Sequence, residues 1–462
     1  MGTTMIQPDT TSNATDSSTQ SASKQRLLPK QSLMHLINIA IGFLGIQFAW
    51  SVQMGQMGLL LEKLGSAPWL TSALFCAGPV TGILVQPIVG ALSDRTWTVI
   101  GRRRPYFLLG AILSAICLVL MPNVPALAPG LTTFINSVQG VVSLSVVSVG
   151  LVFAATLLWL LDASINTSQG PYRALVPDTV PKEQQALAFT LMSFTIGLGS
   201  VIAFFVGSKI PMEPLFYLGA AAMVLSLLYT AVTTPEVRYN SPEALTATDV
   251  PLQGAGLGRF FKQTLTSIFS MPTEAKKLCL AHSFTWFGLF CFFMFFSLFV
   301  AHNIFHATSG TPQFDKAGQD ASFAFLVFNL SCFIISPVIG LLCKSVSKKL
   351  LHTVGLLCLA GGMGLMVVNP TLESVWIGMA LMGIGWATTL SLPFALLSNH
   401  IPGGNEGVLI GAFNIFIAAP QFLASGVLTS LLYVYPDVYL IPMALGSATI
   451  FISALVLQWF KE

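Results

Sequence analysis

Apolar residues in this chain gather into long runs, with polar residues falling between them. A helix needs about 20 apolar residues to cross a bilayer. Twelve runs reach that length. The first six cover residues 33–57, 69–92, 105–122, 143–171, 184–208 and 215–233; the second six cover 278–301, 320–343, 350–369, 373–398, 405–432 and 438–460. The pattern predicts an all-α polytopic membrane protein with twelve transmembrane helices in two six-helix bundles, residues 32–233 and 274–462. Residues 1–31 are polar, rich in Ser and Thr, and lack the apolar core and cleavage site of a secretory signal. They read as a disordered cytoplasmic tail. Residues 234–273 are polar and Pro-containing and read as a cytoplasmic linker.

Composition agrees with that class. Hydrophobic residues make up 54% of the chain and charged residues 8%, where a soluble domain carries about 25% charged. The net charge of +3 gives no ground for a nucleic-acid partner. Basic residues set the orientation. With the N-terminus inside, all of the 21 Lys and Arg except Lys63, Lys209 and Lys316 fall on the cytoplasmic side, and both termini are cytoplasmic. The short tail, linker and loops point to a bacterial inner (plasma) membrane and a monomer in the lipid bilayer. The seven cysteines contain no C-x-x-C pair, so neither a disulfide framework nor a metal site is implied. His302 and His306 have the i, i+4 spacing of a metal pair but no third ligand nearby. No phosphate loop, nucleophile elbow or plausible catalytic pair is present. The expectation is therefore no enzyme, no ATP-driven pump, no cofactor and no metal.

The candidate chemistry lies where polar groups interrupt apolar runs. Of the 18 Asp and Glu residues, Asp162 is the one placed mid-span. On a helix of about 100° per residue, Asn166, Gln169 and Arg173 fall within about 40° of it. Polar groups at membrane depth are costly and are kept where they face a cavity or a partner. Asp162 reads either as a structural acid held by neighbouring amides or as the group that takes up and releases a coupling proton. Arg173 is about 16 Å further along the same face, too far for a direct pair; Asp178, Asp94 or a chain of waters are its candidate partners.

Two further groups stand out. The segment GALSDRTWTVIGRRRP, Gly90 to Pro105, is the most basic short stretch. It reads as a positive-inside anchor or as a cytoplasmic gate made by Asp94, Arg95, Arg102, Arg103, Arg104 and Asp178, with charges able to pair across a bundle interface. Trp50, Trp159, Trp286 and Trp386 sit inside apolar runs one, four, seven and ten. They read as packing residues or as a stacking surface for a ligand with an apolar face and a hydroxylated edge, such as a sugar ring. Gln47, Gln53 and Gln56 add neutral amides suited to hydroxyl groups.

Taken together, these motifs resemble the major facilitator superfamily, and within it the glycoside–pentoside–hexuronide:cation symporter group, especially plant sucrose–proton symporters and their animal and bacterial relatives. GALSDRTWTVIGRRRPY resembles the group's loop between spans two and three. LDASINTSQGPYRAL resembles its span-four signature, L-D-x-x-x-N-x-x-Q-G-P-x-R-A-L. GIQFAWSVQ resembles its first span, GIGWATTLSLPFALLS its tenth, and GVLIGAFNIFIAAPQ, with Asn414, its eleventh. The resemblance implies a sugar substrate, a proton as coupling ion and alternating access. It assigns the protonatable acid to Asp162 and the arginine of coupled transport to Arg173. With the tryptophans and amides read above, the expected substrate site includes Gln47, Trp50, Gln53, Trp159, Asn166, Gln169, Trp286, Trp386 and Asn414. One departure stands out. Where plant members carry acids in span seven, this chain has Phe296 and Leu298, and the basic–acidic pair that follows is His302 and Asn303. Coupling would then rest on Asp162 alone. Two alternatives stay open: an uncoupled facilitator or exporter of another small solute, such as an amino acid or osmolyte, and a non-transporting membrane sensor.

Overall fold

The computed structural model describes residues 29–139, 144–236, 271–398, 406–436 and 438–462; most of the expected tail and of the expected linker lies outside them. Among the described residues there are twelve helices long and apolar enough to cross a membrane. They are α1 (Leu33–Lys63), α2 (Pro68–Arg95), α3 (Arg104–Val138), α4 (Val146–Thr179), α5 (Lys182–Gly207) and α6 (Met212–Thr233), then α7 (Thr273–Ile304), α8 (Pro312–Leu342), α9 (Lys348–Val368), α10 (Leu372–Leu397), α11 (Phe413–Val434) and α12 (Leu440–Trp459).

Helix starts follow local chemistry. The hydroxyls of Ser32, Ser145, Thr311 and Ser347 accept from the backbone N–H three residues on, capping α1, α4, α8 and α9. Pro68 and Pro105 sit in first turns, where a missing N–H costs nothing. Several helices run past the apolar windows. The third continues to Val138 instead of ending near 122, and the eighth begins at Pro312 instead of 320. A hydropathy window measures only the length in contact with lipid. Beyond that depth a helix persists wherever its ends are capped and water hydrates its surface. Pro122 is accommodated in the 3₁₀ turn Met121–Asn123, and α2 is interrupted at Phe75 and Cys76.

The helices form two six-helix bundles. In the first, α1 packs on α5 and α6, and α4 on α2 and α3; in the second, α7 packs on α11 and α12, and α10 on α8 and α9. Glycines allow the closest crossings. A Cβ at Gly288 of α7 would lie 2.6 Å from the carbonyl oxygen of Gly446 in α12, so small residues let the two backbones touch.

Bonds between described residues of the two bundles gather at one face, the one carrying the α1–α2 and α7–α8 turns. Gln56 donates to the Ser322 hydroxyl at 2.8 Å, and Ser297 donates to the Gly55 carbonyl at 2.7 Å. Ser72 and Ser425 each donate to the other's carbonyl, at 3.1 and 2.7 Å. Glu62 takes both His302 Nε2, at 2.9 Å, and the Tyr439 hydroxyl, at 3.3 Å. Lys63 pairs with Asp315. Toward the opposite face, where the chain termini lie, the deepest aromatic contact between the bundles is Phe194 with Phe333, 5.5 Å between centroids.

Candidate functional site

The polar stripe of α4 faces α1 and α2. Asp162 is 6% exposed, and its Oδ1 accepts from Gln53 Nε2 of α1 at 3.0 Å. No basic side chain among the described residues pairs with it. The other end of the Gln53 amide, Oε1, is buried without a partner. Gly78 of α2 leaves room beside the carboxyl, since a Cβ there would come only to 3.9 Å from Oδ1. One turn on, Asn166 is fully engaged: Nδ2 donates to Thr81 Oγ1 at 3.0 Å and to the Asp162 carbonyl at 2.9 Å, while Oδ1 accepts from Gln86 Nε2 at 2.6 Å. Gln169 is half-buried and makes no hydrogen bond to a described residue.

Arg173 is exposed, with its guanidinium 5.4 Å from the centroid of the Phe43 ring. That is the geometry of a cation–π contact. Neither carboxylate expected near it is its partner. Asp178 and Asp94 both pair with Arg103, at 2.7 and 2.6 Å, and Asp94 also takes Arg102 at 2.7 Å. Arg103 is 5% exposed. Burial disfavours its charge, but Asp178 and Asp94 outweigh that and hold its pKa above the ordinary value. Arg104 bonds the Thr234 carbonyl. All these partners lie in the first bundle. Arg102, Arg103 and Arg104 are thus engaged within the first bundle in this state, with Asp94, Asp178 and Glu236 supplying the charge locally. Arg95 ends α2 beside this network.

The network has a member the sequence did not single out. The Glu236 carboxylate, 5% exposed, accepts from the backbone N–H of Arg102, Arg103 and Arg104 at 2.8, 3.0 and 3.0 Å. It caps α3 from the end of α6. The second bundle repeats the device. Glu462, after α12, accepts from the Ser347 hydroxyl and from the backbone N–H of Lys348 and Lys349, at the start of α9. A basic loop followed far along the chain by a lone Glu is the only trace of this in the sequence.

The tryptophans separate. Trp286 and Trp386 meet edge to face, with centroids 5.8 Å apart at 77°. Trp50 is half-buried against the main hydrophobic core. Trp159 is 38% exposed and has no ring or hydrogen-bond partner among the described residues, so it stands apart from the pair. Gln47 packs beside Gly199 of α5, 120° around α1 from Gln53. Asn414 is exposed on α11. Phe296 and Leu298 are buried, 0% and 1% exposed. The structure therefore brings together Gln53, Asp162 and Asn166 on one side, and Trp286 and Trp386 on the other. It adds Thr81 and Gln86, whose signal was two polar residues inside an apolar run. It also adds His282 and His352, buried at 1% and 2% exposure in the second bundle.

Two bundles meeting around buried polar groups, sealed at one face, define a secondary-transporter class of membrane protein. The family model of the Major Facilitator Superfamily matches residues 39–425, and the chain belongs to that superfamily. It is 26% identical to a general alpha-glucoside permease of Schizosaccharomyces pombe, over 87% of each chain. It is 26% identical to the sucrose transport protein SUT5 of Oryza sativa subsp. indica, over 82% of this chain and 78% of that one. Among solved structures it resembles a point mutant of the nucleoside transporter NupG, with TM-score 0.68 and 14% identity over 93% of this chain and 100% of the other. That likeness concerns the fold. The relatives named are fungal and plant proteins and give no support to a bacterial membrane.

Proposed function

We propose that the protein is a proton-coupled symporter of a sugar or glycoside, of the size of a sucrose-like disaccharide, working by alternating access. One observation carries this reading: a mid-span carboxylate, Asp162, buried with a single side-chain hydrogen-bond partner among the described residues, a neutral amide. A buried carboxyl with no cation beside it is more easily carried neutral than charged through a step that closes water out. Taking up a proton would let the cavity close around Asp162, and losing it would favour reopening. The curated relatives, an alpha-glucoside permease and sucrose transport proteins, support the substrate class.

The sugar would sit between Asn166, Gln169 and Trp50 of the first bundle and Trp286 and Trp386 of the second. With the N-terminus cytoplasmic, the face joined by Gln56, Ser72, Glu62 and Lys63 is the outer one, and the state seen here is closed outward. Arg173, exposed on the inner side, would meet protons or anionic groups on their way to the cytoplasm. The network of Asp94, Arg102, Arg103, Arg104 and Asp178 would act as the cytoplasmic gate, with Arg95 at its rim. The protein would act as a monomer.

The test is uptake of labelled disaccharides into vesicles under an imposed pH gradient, for wild type and Asp162→Asn. A one-unit gradient is worth about 1.4 kcal/mol, so one-proton coupling supports about tenfold accumulation. Asp162→Asn should equilibrate sugar without accumulating it. Accumulation that survives the substitution rules out Asp162 as the coupling group. The apolar side chains at Phe296 and Leu298 favour one alternative, an uncoupled facilitator, which predicts wild-type transport indifferent to a protonophore.

A further inference from the structure

His282 lies on α7 one turn before Trp286. Its Nε2 accepts from the Trp286 indole N–H at 2.8 Å. The imidazole is held flat against Phe413 of α11, with centroids 4.6 Å apart at 18°, and edge-on to Phe394 of α10 at 6.5 Å. An N–H pointing at Nε2 means that the neutral ring carries its own proton on Nδ1. Nδ1 is buried and has no partner among the described residues, an arrangement that carries the cost of an unsatisfied buried donor. An apolar side chain would fill the same space without that cost. A second buried histidine, His352 of α9, has its Nδ1 3.5 Å from the Thr388 hydroxyl of α10, and the Cys279 thiol lies one turn before His282 on α7.

We infer that His282 is a positioning residue for the substrate site: by holding the indole N–H it fixes Trp286 against Trp386 and presents ring surface, instead of a hydrogen-bond donor, to the substrate. The inference rests on the sugar-transport reading above. Trp386 is wedged by rings alone, Phe293 at 5.5 Å and Phe328 at 6.0 Å. Trp286 is the member of the pair whose orientation a single hydrogen bond decides. With its N–H turned back into its own bundle, it selects ligands that offer a face of C–H groups, as a pyranose ring does, over flexible polyols that offer only hydroxyls.

Two measurements test this. The first is independent of any sugar: proton–nitrogen NMR of the protein labelled at its tryptophan indoles, with the Trp286 signal identified by its loss in Trp286→Phe. The Trp286 N–H should lie downfield, as an indole bonded to an imidazole nitrogen does. It should stay there in His282→Gln, whose amide oxygen replaces Nε2, and move upfield in His282→Leu. The second is transport kinetics in vesicles with a disaccharide and an open-chain polyol. His282→Leu should raise KM for the disaccharide about tenfold with kcat kept, narrow the preference over the polyol, and add nothing to Trp286→Phe in the double variant. His282→Gln should keep both values within about twofold of wild type.

A Trp286 resonance at the position of a free indole in the wild type overturns the inference, even if His282→Leu does not fold. So does a displaced resonance with unchanged KM and preference, or a fall in kcat alone. If the wild type moves no sugar at all, the functional reading fails and takes the substrate part of the inference with it, while the NMR arm still reports on the tie.

Discussion

Replacing Glu236 by Ala removes the acceptor for three backbone N–H groups and the anion closest to Arg104, 4.0 Å away. Pro105 carries no N–H, so the backbone donors of Arg102, Arg103 and Arg104 are the ones left free around the start of α3. A hydrogen bond to a charged acceptor contributes about 1.5–3 kcal/mol net. Three of them would exceed 4 kcal/mol if nothing took their place. The site is at the membrane edge, so water would recover part of the loss, as it does when ordinary N-caps are removed at about 0.5–2 kcal/mol. The carboxylate here is 5% exposed, which limits that recovery. The balance is about 2–4 kcal/mol. Glu462 makes the equivalent cap at the exposed chain end, and its removal should cost about 1 kcal/mol or less. Thermal unfolding of the purified protein should thus rank the midpoints as wild type, Glu462→Ala, Glu236→Gln, Glu236→Ala, from highest to lowest. Glu236→Gln sits between because it keeps an acceptor but not the charge. A Glu462→Ala loss equal to or larger than that of Glu236→Ala would refute the burial argument.

Other outcomes follow from the same reasoning. Gly42→Ala drives a methyl into the Tyr172 ring and should cost about 1–3 kcal/mol, whereas Gly90→Ala, with nothing within 4 Å, should be neutral or gain up to about 1 kcal/mol in thermal midpoint measurements. Asn166→Leu strands the Gln86 amide and should lose about 1–3 kcal/mol; a double-mutant cycle with Gln86→Leu that shows no coupling would count against the bond. Burial opposes the Glu462 charge, but Ser347 and the N–H groups of Lys349 and Lys348 outweigh it and hold the carboxyl below its ordinary value. A depressed acid stabilises the fold above its unfolded value of about 4.3, and the benefit is lost as pH falls through the lower folded value. The midpoint difference between wild type and Glu462→Ala should therefore close on acidification, and a widening difference would reverse the sign of the argument.

The spans were legible because lipid imposes one requirement along the whole chain: about 20 consecutive apolar residues. Their full lengths were not. The turns of α8 before Asp320 start at the Thr311 cap, which leaves no apolar signature, and α3 runs on past Pro122 through a 3₁₀ turn. Asp162 was legible as a lone acid in an apolar run, and its stripe followed from helical geometry. Its partner was less so, because Gln53, Gln56 and Gln47 look alike in sequence, and only packing decides that Gln53 reaches the carboxyl while Gln56 reaches Ser322. His282 escaped notice because a buried histidine beside a tryptophan reads as ordinary packing until the direction of the indole N–H is known. Glu236 and Glu462 escaped it because each caps a helix more than a hundred residues away. The tryptophan reading was too generous: regular placement in runs one, four, seven and ten does not make four side chains point the same way, and Trp159 stands apart.

α1 ties these parts together mechanically. Gln53, which holds the acid, and Gln56, Glu62 and Lys63, which hold the second bundle, are on one unbroken helix. From Gln53 to Glu62 the rise is about 14 Å, and α1 carries no proline between its caps. Such a rod does not flex at one end only. A tilt that parts Gln53 from Asp162 also swings Glu62 relative to His302 and Tyr439, and a pull on those contacts is felt at the carboxyl. The helix is a two-armed lever, and its stiffness sets how faithfully a displacement at the carboxyl becomes a displacement of the contacts between the bundles.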